Sequence, residues 1–415
     1  MKSILFKVPL FIILFLPPAM AETNELEVEI EKGDELPTGN WEQDYSLKIS
    51  HLEREFGAYH VTLIAPLNDL AMAYQKSGAV LKAIEMYERA LHINKVNLGV
   101  HNLSQADLIE RLIENYSSLQ DWQQVAAKMH YLLWVYRRNF DSSDDRLVAM
   151  MERVGRWYRQ AYWQHQGGEA LSFLVEADDL VDEALAIVEL QAGPDANQLV
   201  SLLHLSSIIN AQIASDVKNV FRQSHRDIRE AMIPNNRGTP YANEIAVREY
   251  YFEQSFYKGR RALNRVIKIF EKNLPETTVD YAQILVYQGD YYLALNRKWN
   301  AMKNYRKAFA VLMDNNASEE EIRFIFGEPR RVKPFTLPGQ ELSTLTDKSY
   351  IDALVDIPAN GWPRNIRILA SQPNNGGERA KRGKHSVAAT RYRPRFENAE
   401  PVPTENVSLR YVFRK

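Results

Sequence analysis

The sequence predicts a mostly α-helical protein: a solenoid of helical hairpins followed by a small α+β domain of order strand–strand–helix–strand. Three observations predict it. Tyr74, Tyr116 and Tyr158 close the first helices of three successive hairpins and lie 42 residues apart. A period of that length marks units that cannot bury their apolar faces alone and must stack. At Phe326-Gly327-Glu328-Pro329 the helical pattern stops, and beyond it the apolar period falls to two.

The elements follow in order. Residues 1–21 read as a cleaved secretory signal: Lys2 and Lys7 lead, positions 8–16 are an apolar run, and Ala19-Met20-Ala21 places small residues either side of Met20. The run is about half of the ~20 apolar residues that a spanning helix needs, and Pro9, Pro17 and Pro18 interrupt it. Residues 22–42 are acidic and contain Pro and Gly, which predicts an irregular lead-in. A solenoid is expected over 43–326, its first helix pair beginning near Gln43-Asp44-Tyr45.

The first full unit contains Leu67-Asn68-Asp69-Leu70-Ala71-Met72-Ala73-Tyr74, then Gly78, Ala83, Tyr87 and Ala90. Phe56-Gly57-Ala58-Tyr59-His60 and Leu98-Gly99-Val100-His101 stand at the same place before successive first helices. These residues resemble the tetratricopeptide repeat, in the longer 42-residue variety found in kinesin light chains, where a Gly-x-x-His loop joins hairpins. The small residues allow close helix approach and the tyrosines fill the space between hairpins. The second unit keeps Leu112, Tyr116, Val125 and Met129, with Ile113 at a small-residue position. The third keeps Gly155 and Tyr158, then loses the pattern near Gln166-Gly167-Gly168. Residues 169–274 read as degenerate helical units, with runs over 171–188, 198–220 and 242–272. A close match returns with Leu285, Gly289, Tyr292, Ala301, Tyr305 and Ala308.

Pro329, Pro334, Pro338 and Gly339 predict a linker over 327–349. Residues 350–357 alternate, Ala359-Asn360-Gly361 turns, 363–370 returns as a strand, 377–390 suits a helix, and 407–413 is a last strand. The turn with Pro363-Arg364-Asn365-Ile366-Arg367-Ile368, the stretch Tyr392-Arg393-Pro394-Arg395-Phe396, and Asn398-Ala399-Glu400-Pro401-Val402 before the last strand carry a second resemblance. Residues 350–415 resemble the C-terminal domain of TonB, with Ala399 where that family has Gly. The resemblance implies a docking domain, whose last strand can pair by its edge with a receptor segment. The membrane helix and long Pro-rich spacer of true energy transducers are not matched here.

Composition narrows the function. From Arg330 onward 16 Lys and Arg stand against 8 Asp and Glu, so a formal charge of −2 divides into an acidic solenoid and a basic tail. With no cysteine, disulfides, thiol catalysis and thiolate metal sites are excluded. No phosphate-binding Gly loop, nucleophile elbow or His-x-x-x-His pair occurs, so no catalytic residue, metal or cofactor is expected. His60 and His101 read as loop residues. The basic stretch from Arg379 to His385 lacks the aromatics of a nucleic-acid site and reads as a solvated helix face.

Tetratricopeptide solenoids bind partners along the inner faces of their first helices. Spacing places Asn68 and Gln75 there, then Asp107, Glu110, Glu114 and Ser117, then Glu152, Arg156 and Arg159, and finally Gln283 and Asp290. The expected protein is a periplasmic, non-enzymatic adaptor for a protein or peptide partner, with the TonB-like domain as a second docking module. The alternative is a component of energy-coupled transport that contacts an outer-membrane receptor or envelope complex. Neither reading involves nucleic acid or a small-molecule cofactor, and any membrane contact is peripheral. The two modules are expected to be separable.

Overall fold

The computed structural model describes residues 40–164, 170–191, 196–231, 240–272, 278–332, 349–372 and 390–413, with Lys381, Lys384, His385, Val387 and Ala388 before the last segment. The expected signal and nearly all of the lead-in lie outside these residues. The single array expected from the sequence is divided into two compact units, Ala21–Pro194 and Asp195–Lys415.

The first unit holds α1 (Trp41–Phe56), α2 (Ile64–Lys76), α3 (Val80–Leu98), α4 (Ala106–Ser118), α5 (Trp122–Asn139), α6 (Asp145–Gln164) and α7 (Ala170–Leu190). Hairpins pair α2 with α3, α4 with α5 and α6 with α7. The 42-residue step is a step of hydrogen bonds. Gly78 and Gln120 both take positive φ, 79° and 58°. After each, a backbone N–H reaches back over the last turn, Ala79 to Tyr74 and Asp121 to Tyr116. Gly57 and Gly99 share a positive φ, 94° and 92°, in a region that side chains disfavour. Asn97 donates from its amide to the Tyr59 carbonyl at 2.7 Å, and Asn139, 42 residues on, donates to the His101 carbonyl at 2.5 Å.

The spaced tyrosines join one hairpin to the next. Tyr74 Oη donates to Glu42 at 2.7 Å and Tyr116 Oη to Glu88 at 3.1 Å, while the Tyr158 hydroxyl meets the His130 ring. Lys82 pairs with Glu42 and Lys128 with Glu88, completing the same triad twice.

Instead of the helix pair expected near Gln43, a single helix precedes α2 among the described residues. Gly57 ends α1 as Gly99 ends α3, so α1 is placed as the second helix of a hairpin. It buries only Ile49, and a polar outer surface is what a terminal unit of a stack requires.

In the second unit α8 (Ala196–Ala231) and α9 (Pro240–Glu271) form one long hairpin where the sequence suggested degenerate repeats. The regular spacing returns with α10 (Thr278–Ala294) and α11 (Lys298–Asp314), whose turn has Asn296 at φ 63° and Arg297 N–H on the Tyr292 carbonyl. Gly289 admits the Tyr305 ring: a Cβ there would lie 2.3 Å from it. A further first helix is due near 320. There α12 (Glu319–Phe326) starts, with a Ser318–Glu321 capping box, and stops after two turns.

Strands follow among the described residues: β1 (Arg330–Arg331), β2 (Ser349–Ile357), β3 (Arg364–Gln372), β4 (Tyr392–Arg393), β5 (Arg395–Glu397), β6 (Glu400–Val402) and β7 (Thr404–Phe413). The expected linker therefore opens with an ordered strand, β1, which pairs antiparallel with β4; residues 333–348 lie outside the described ones. The main sheet has order β3-β2-β7, antiparallel throughout. Period-two alternation puts Ile351, Ala353, Val355 and Ile357 on one face, packed with Val387, Tyr392, Ile366, Ile368, Val407 and Leu409. Of the helix expected over 377–390 only a few residues are described, among them the buried Val387. Asp356 on the central strand holds both neighbours: it accepts from the Asn365 amide at 2.7 Å and the Asn406 backbone at 2.9 Å. Both asparagines have positive φ and lie beside register shifts.

Asn398 and Ala399 (φ 49° and 62°) join β5 to β6, the turn type that twisted hairpins favour. An alanine in the left-handed region costs about 1 kcal/mol. Ala399→Gly is therefore expected to stabilise the tail domain by up to about 1 kcal/mol, read as a higher denaturation midpoint; an unchanged or lower midpoint would contradict the strain.

Candidate functional site

In the first unit the first helices α2, α4 and α6 carry a row of polar side chains. Asn68 is half-buried, with its amide on the Met72 sulfur, and half-buried Gln75 accepts from Tyr87 Oη at 3.1 Å. On α4, Asp107 and Glu114 are exposed while Glu110 and Ser117 are half-buried. The acidic cluster expected on this helix is largely compensated. Arg153 on α6 reaches Glu110 at 2.7 Å, Arg111 lies 3.3 Å from Glu114, and Arg156 binds Glu152 on its own helix. The Glu110–Arg153 pair ties α4 to α6. Arg111 and Arg153 were absent from the expected set; opposite charges 43 residues apart, at 110 and 153, one position beyond the repeat, were the available signal.

Arg159 is a correction. It is fully buried rather than facing a partner. The equivalent Gln75 and Ser117 lie in the last turns of α2 and α4, which open to solvent. Helix α6 runs on to Gln164, and Arg159 lies within it, fully covered.

Asp290 and Gln283 belong to the second unit. Gln283 is half-buried. Asp290 faces the chain's own tail: its carboxylate accepts from Tyr305 Oη at 2.7 Å and pairs with Arg393 of β4 at 3.2 Å, the Asp290 and Arg393 side chains being 19% and 6% exposed. Burial pushes the Asp290 carboxyl above the ordinary carboxylate range, against the pull of Arg393 and Tyr305. Around this pair, Phe396 packs on Tyr305 and Phe326, and Arg306 makes two bonds to Glu400 at 3.1 and 2.8 Å. Arg391 donates to Asn296 in the turn between α10 and α11, and its backbone carbonyl accepts from Val332. The tail domain is thus seated on the last hairpin, and the two modules that the sequence sets apart share this interface. The stretch Tyr392-Arg393-Pro394-Arg395-Phe396, read from sequence as a family signature, supplies the contact.

Among the described residues no three His, Asp or Glu side chains gather as a metal site, and no helix is long and apolar enough to cross a membrane.

No family model matches the chain, and no curated protein matches it. It is similar to solved repeat structures. A Podosopora anserina chain described as a putative kinesin light chain with nearly identical TPR-like repeats superposes with a TM-score of 0.38 at 16% identity, over 62% of this chain and 99% of that one. A single-substitution variant of that chain gives 0.37 at 16% identity, with the same coverage of 62% and 99%. BtubC (BKLC) from P. vanneervenii gives 0.35 at 15%, over 74% of this chain and 96% of that one.

Two outcomes test this geometry. Arg393→Ala leaves a buried, unpaired carboxylate and is expected to cost about 3 kcal/mol or more. Adding Asp290→Ala should recover part of that loss, and purely additive effects in denaturation would refute the coupling. Burial pushes Tyr87, Tyr116 and Tyr158 up to about 12, against about 10 in an unfolded chain. Each binds its proton more tightly when folded, so its contribution is complete below pH ~10 and is lost as pH rises through about 12. Tyr116→Phe should flatten the stability profile in that window; an unchanged slope would contradict the burial.

Proposed function

We propose that this protein is a non-enzymatic periplasmic adaptor of the tetratricopeptide type, which binds an extended protein segment along α2, α4 and α6. Its TonB-like tail domain serves as a second docking module. One observation carries the reading. Matching the turn residues Gln120 and Asn296 puts Asp290 at the repeat position of Glu114. At Asp290 an extended strand of the chain itself lies on the hairpin, held by Arg393 on the carboxylate and Phe396 among aromatic rings. Glu114 offers the same carboxylate exposed, paired with Arg111 on its own helix turn, and such exposed pairs contribute little. An extended segment bearing a basic residue fits there through polar contacts and side-chain pockets. The secretory reading of residues 1–21 supports the compartment.

A second reading, docking of an outer-membrane receptor segment on the tail domain, is favoured by the sheet order. β7 pairs with β2 on one side, and among the described residues no strand lies on its other side.

The test is capture of partners from periplasm by the full chain, then by Glu110→Lys/Glu114→Lys. The double variant should keep its helical signal and its midpoint within about 1 kcal/mol, because Glu114 is exposed and the Glu110 pair is largely open to solvent. It should lose its partner at least tenfold. Normal capture by the variant would remove α4 as the site, and turnover of a small substrate with no protein captured would sink the adaptor reading.

A further inference from the structure

The second unit carries a face of single-signed charge. Positions 254–270 of α9 hold five Lys or Arg and no acid, and so do positions 291–313, which include nearly all of α11. Two ion pairs set these helices side by side. Arg297, at the start of α11, meets Glu253 at 3.4 Å, and Lys307 meets Glu271 at 3.5 Å, so the two helices run in the same direction. Both glutamates are engaged in these pairs, and Glu400 of the tail is engaged by Arg306. Asp314 and the acids that open α12 lie beyond, at the far end of α11.

The cations outside these pairs point outward. Tyr257, Arg261 and Lys268 recur at steps of four and seven on α9, and Trp299 and Lys303 at a step of four on α11, so each set shares one helix face. The other faces are buried, with Phe256, Leu263 and Val266 on α9 and Ala301, Tyr305 and Ala308 on α11. Arg261, Lys268, Lys298 and Lys303 are exposed, and no acid among the described residues pairs with them. Trp299 is 86% exposed and Tyr257 43%, with the Arg260 guanidinium over the tyrosine ring at 4.8 Å. Open Trp and Tyr rings beside cations suit a boundary that is apolar on one side and wet and anionic on the other.

We propose that this face of α9 and α11 binds an anionic lipid surface peripherally. Trp299 and Tyr257 enter the headgroup boundary, and Arg261, Lys268, Lys298 and Lys303 lie against the phosphates. Charge complementarity selects an anion, and the protruding indole selects a surface it can enter. The ion pairs bridge the seam between the helices, whereas a site that tracks a nucleic-acid backbone needs an open groove there. The face belongs to the second unit, and the row on α2, α4 and α6 to the first.

The test mixes the full chain with vesicles of phosphatidylglycerol and phosphatidylcholine in equal parts, and with vesicles of phosphatidylcholine alone. Binding to the anionic vesicles should be tighter by about tenfold or more, and should weaken as salt rises. Each cation near such a surface contributes about fivefold. Arg261→Glu/Lys303→Glu should therefore lose about fiftyfold or more with its helical signal kept, and Arg261→Gln/Lys303→Gln, which adds no new charge, about twentyfold. Lys381→Glu/Lys384→Glu makes the same change of net charge at exposed positions of the tail and should lose less than about threefold. Trp299→Phe should remove most of the blue shift of indole emission that the full chain shows on the anionic vesicles. Equal binding to both vesicles, equal losses in the two charge-reversed variants, or an undiminished blue shift would each overturn the proposal. So would tighter binding to a single-stranded oligonucleotide at the same ionic strength, which would give the face to nucleic acid.

Discussion

Each helical hairpin has two flanks and covers neither by itself, so every unit depends on what lies against it. In the first unit the seam between hairpins is closed by apolar packing and by one repeated polar contact. A tyrosine of the first helix reaches back to the second helix of the preceding hairpin, at Glu42, Glu88 and His130. The hydroxyl explains why tyrosine rather than phenylalanine recurs at these positions. It fills the seam with a ring and satisfies its polar end at the rim, where the carboxylate also takes a lysine.

The ends of a stack need another solution. At the start, α1 meets α2 with Trp41 against Tyr74 and turns polar residues outward. Beyond α11 the pattern begins another unit in α12 and then abandons it. Phe326 and Phe396 cover Tyr305 and Phe309 where a further hairpin would lie. The tail domain acts as a cap as much as an appendage. Arg393 is positioned by β1–β4 pairing, and its pairing with Asp290 is supported by a second bond to the carboxylate, from Tyr305. A charge pair of this sort fixes the docking register of the two parts more than it adds stability.

Compensation of charge on α4 and α6 bears on recognition. An unpaired acidic face would attract any cation at long range, whereas a row of neighbouring opposite charges favours a ligand by the order of its side chains. Asp107 and Glu114 keep the exposure that direct contact needs. In the proposed adaptor, selectivity would come from the spacing of these charges, which the regular 42-residue step supplies.

The amino-acid sequence by itself determined the period, the hairpin turns and the switch to alternating strands. These depend on local rules: a glycine such as Gly78 where the turn takes positive φ, small residues where helices cross, and apolar side chains at every second position of β2. It also placed most of the polar row on the first helices. Only the tertiary structure decided which of those residues are available. Arg159 is buried within α6, and Asp290 is occupied because Arg393, 103 residues away in the chain, is brought to it by a strand pair. The merging of the middle units into one long hairpin, α8 with α9, was likewise beyond the local pattern. Periodicity reports what a segment does with its own next turn. Burial and charge pairing depend on what distant segments bring to the same place, and no local spacing encodes that.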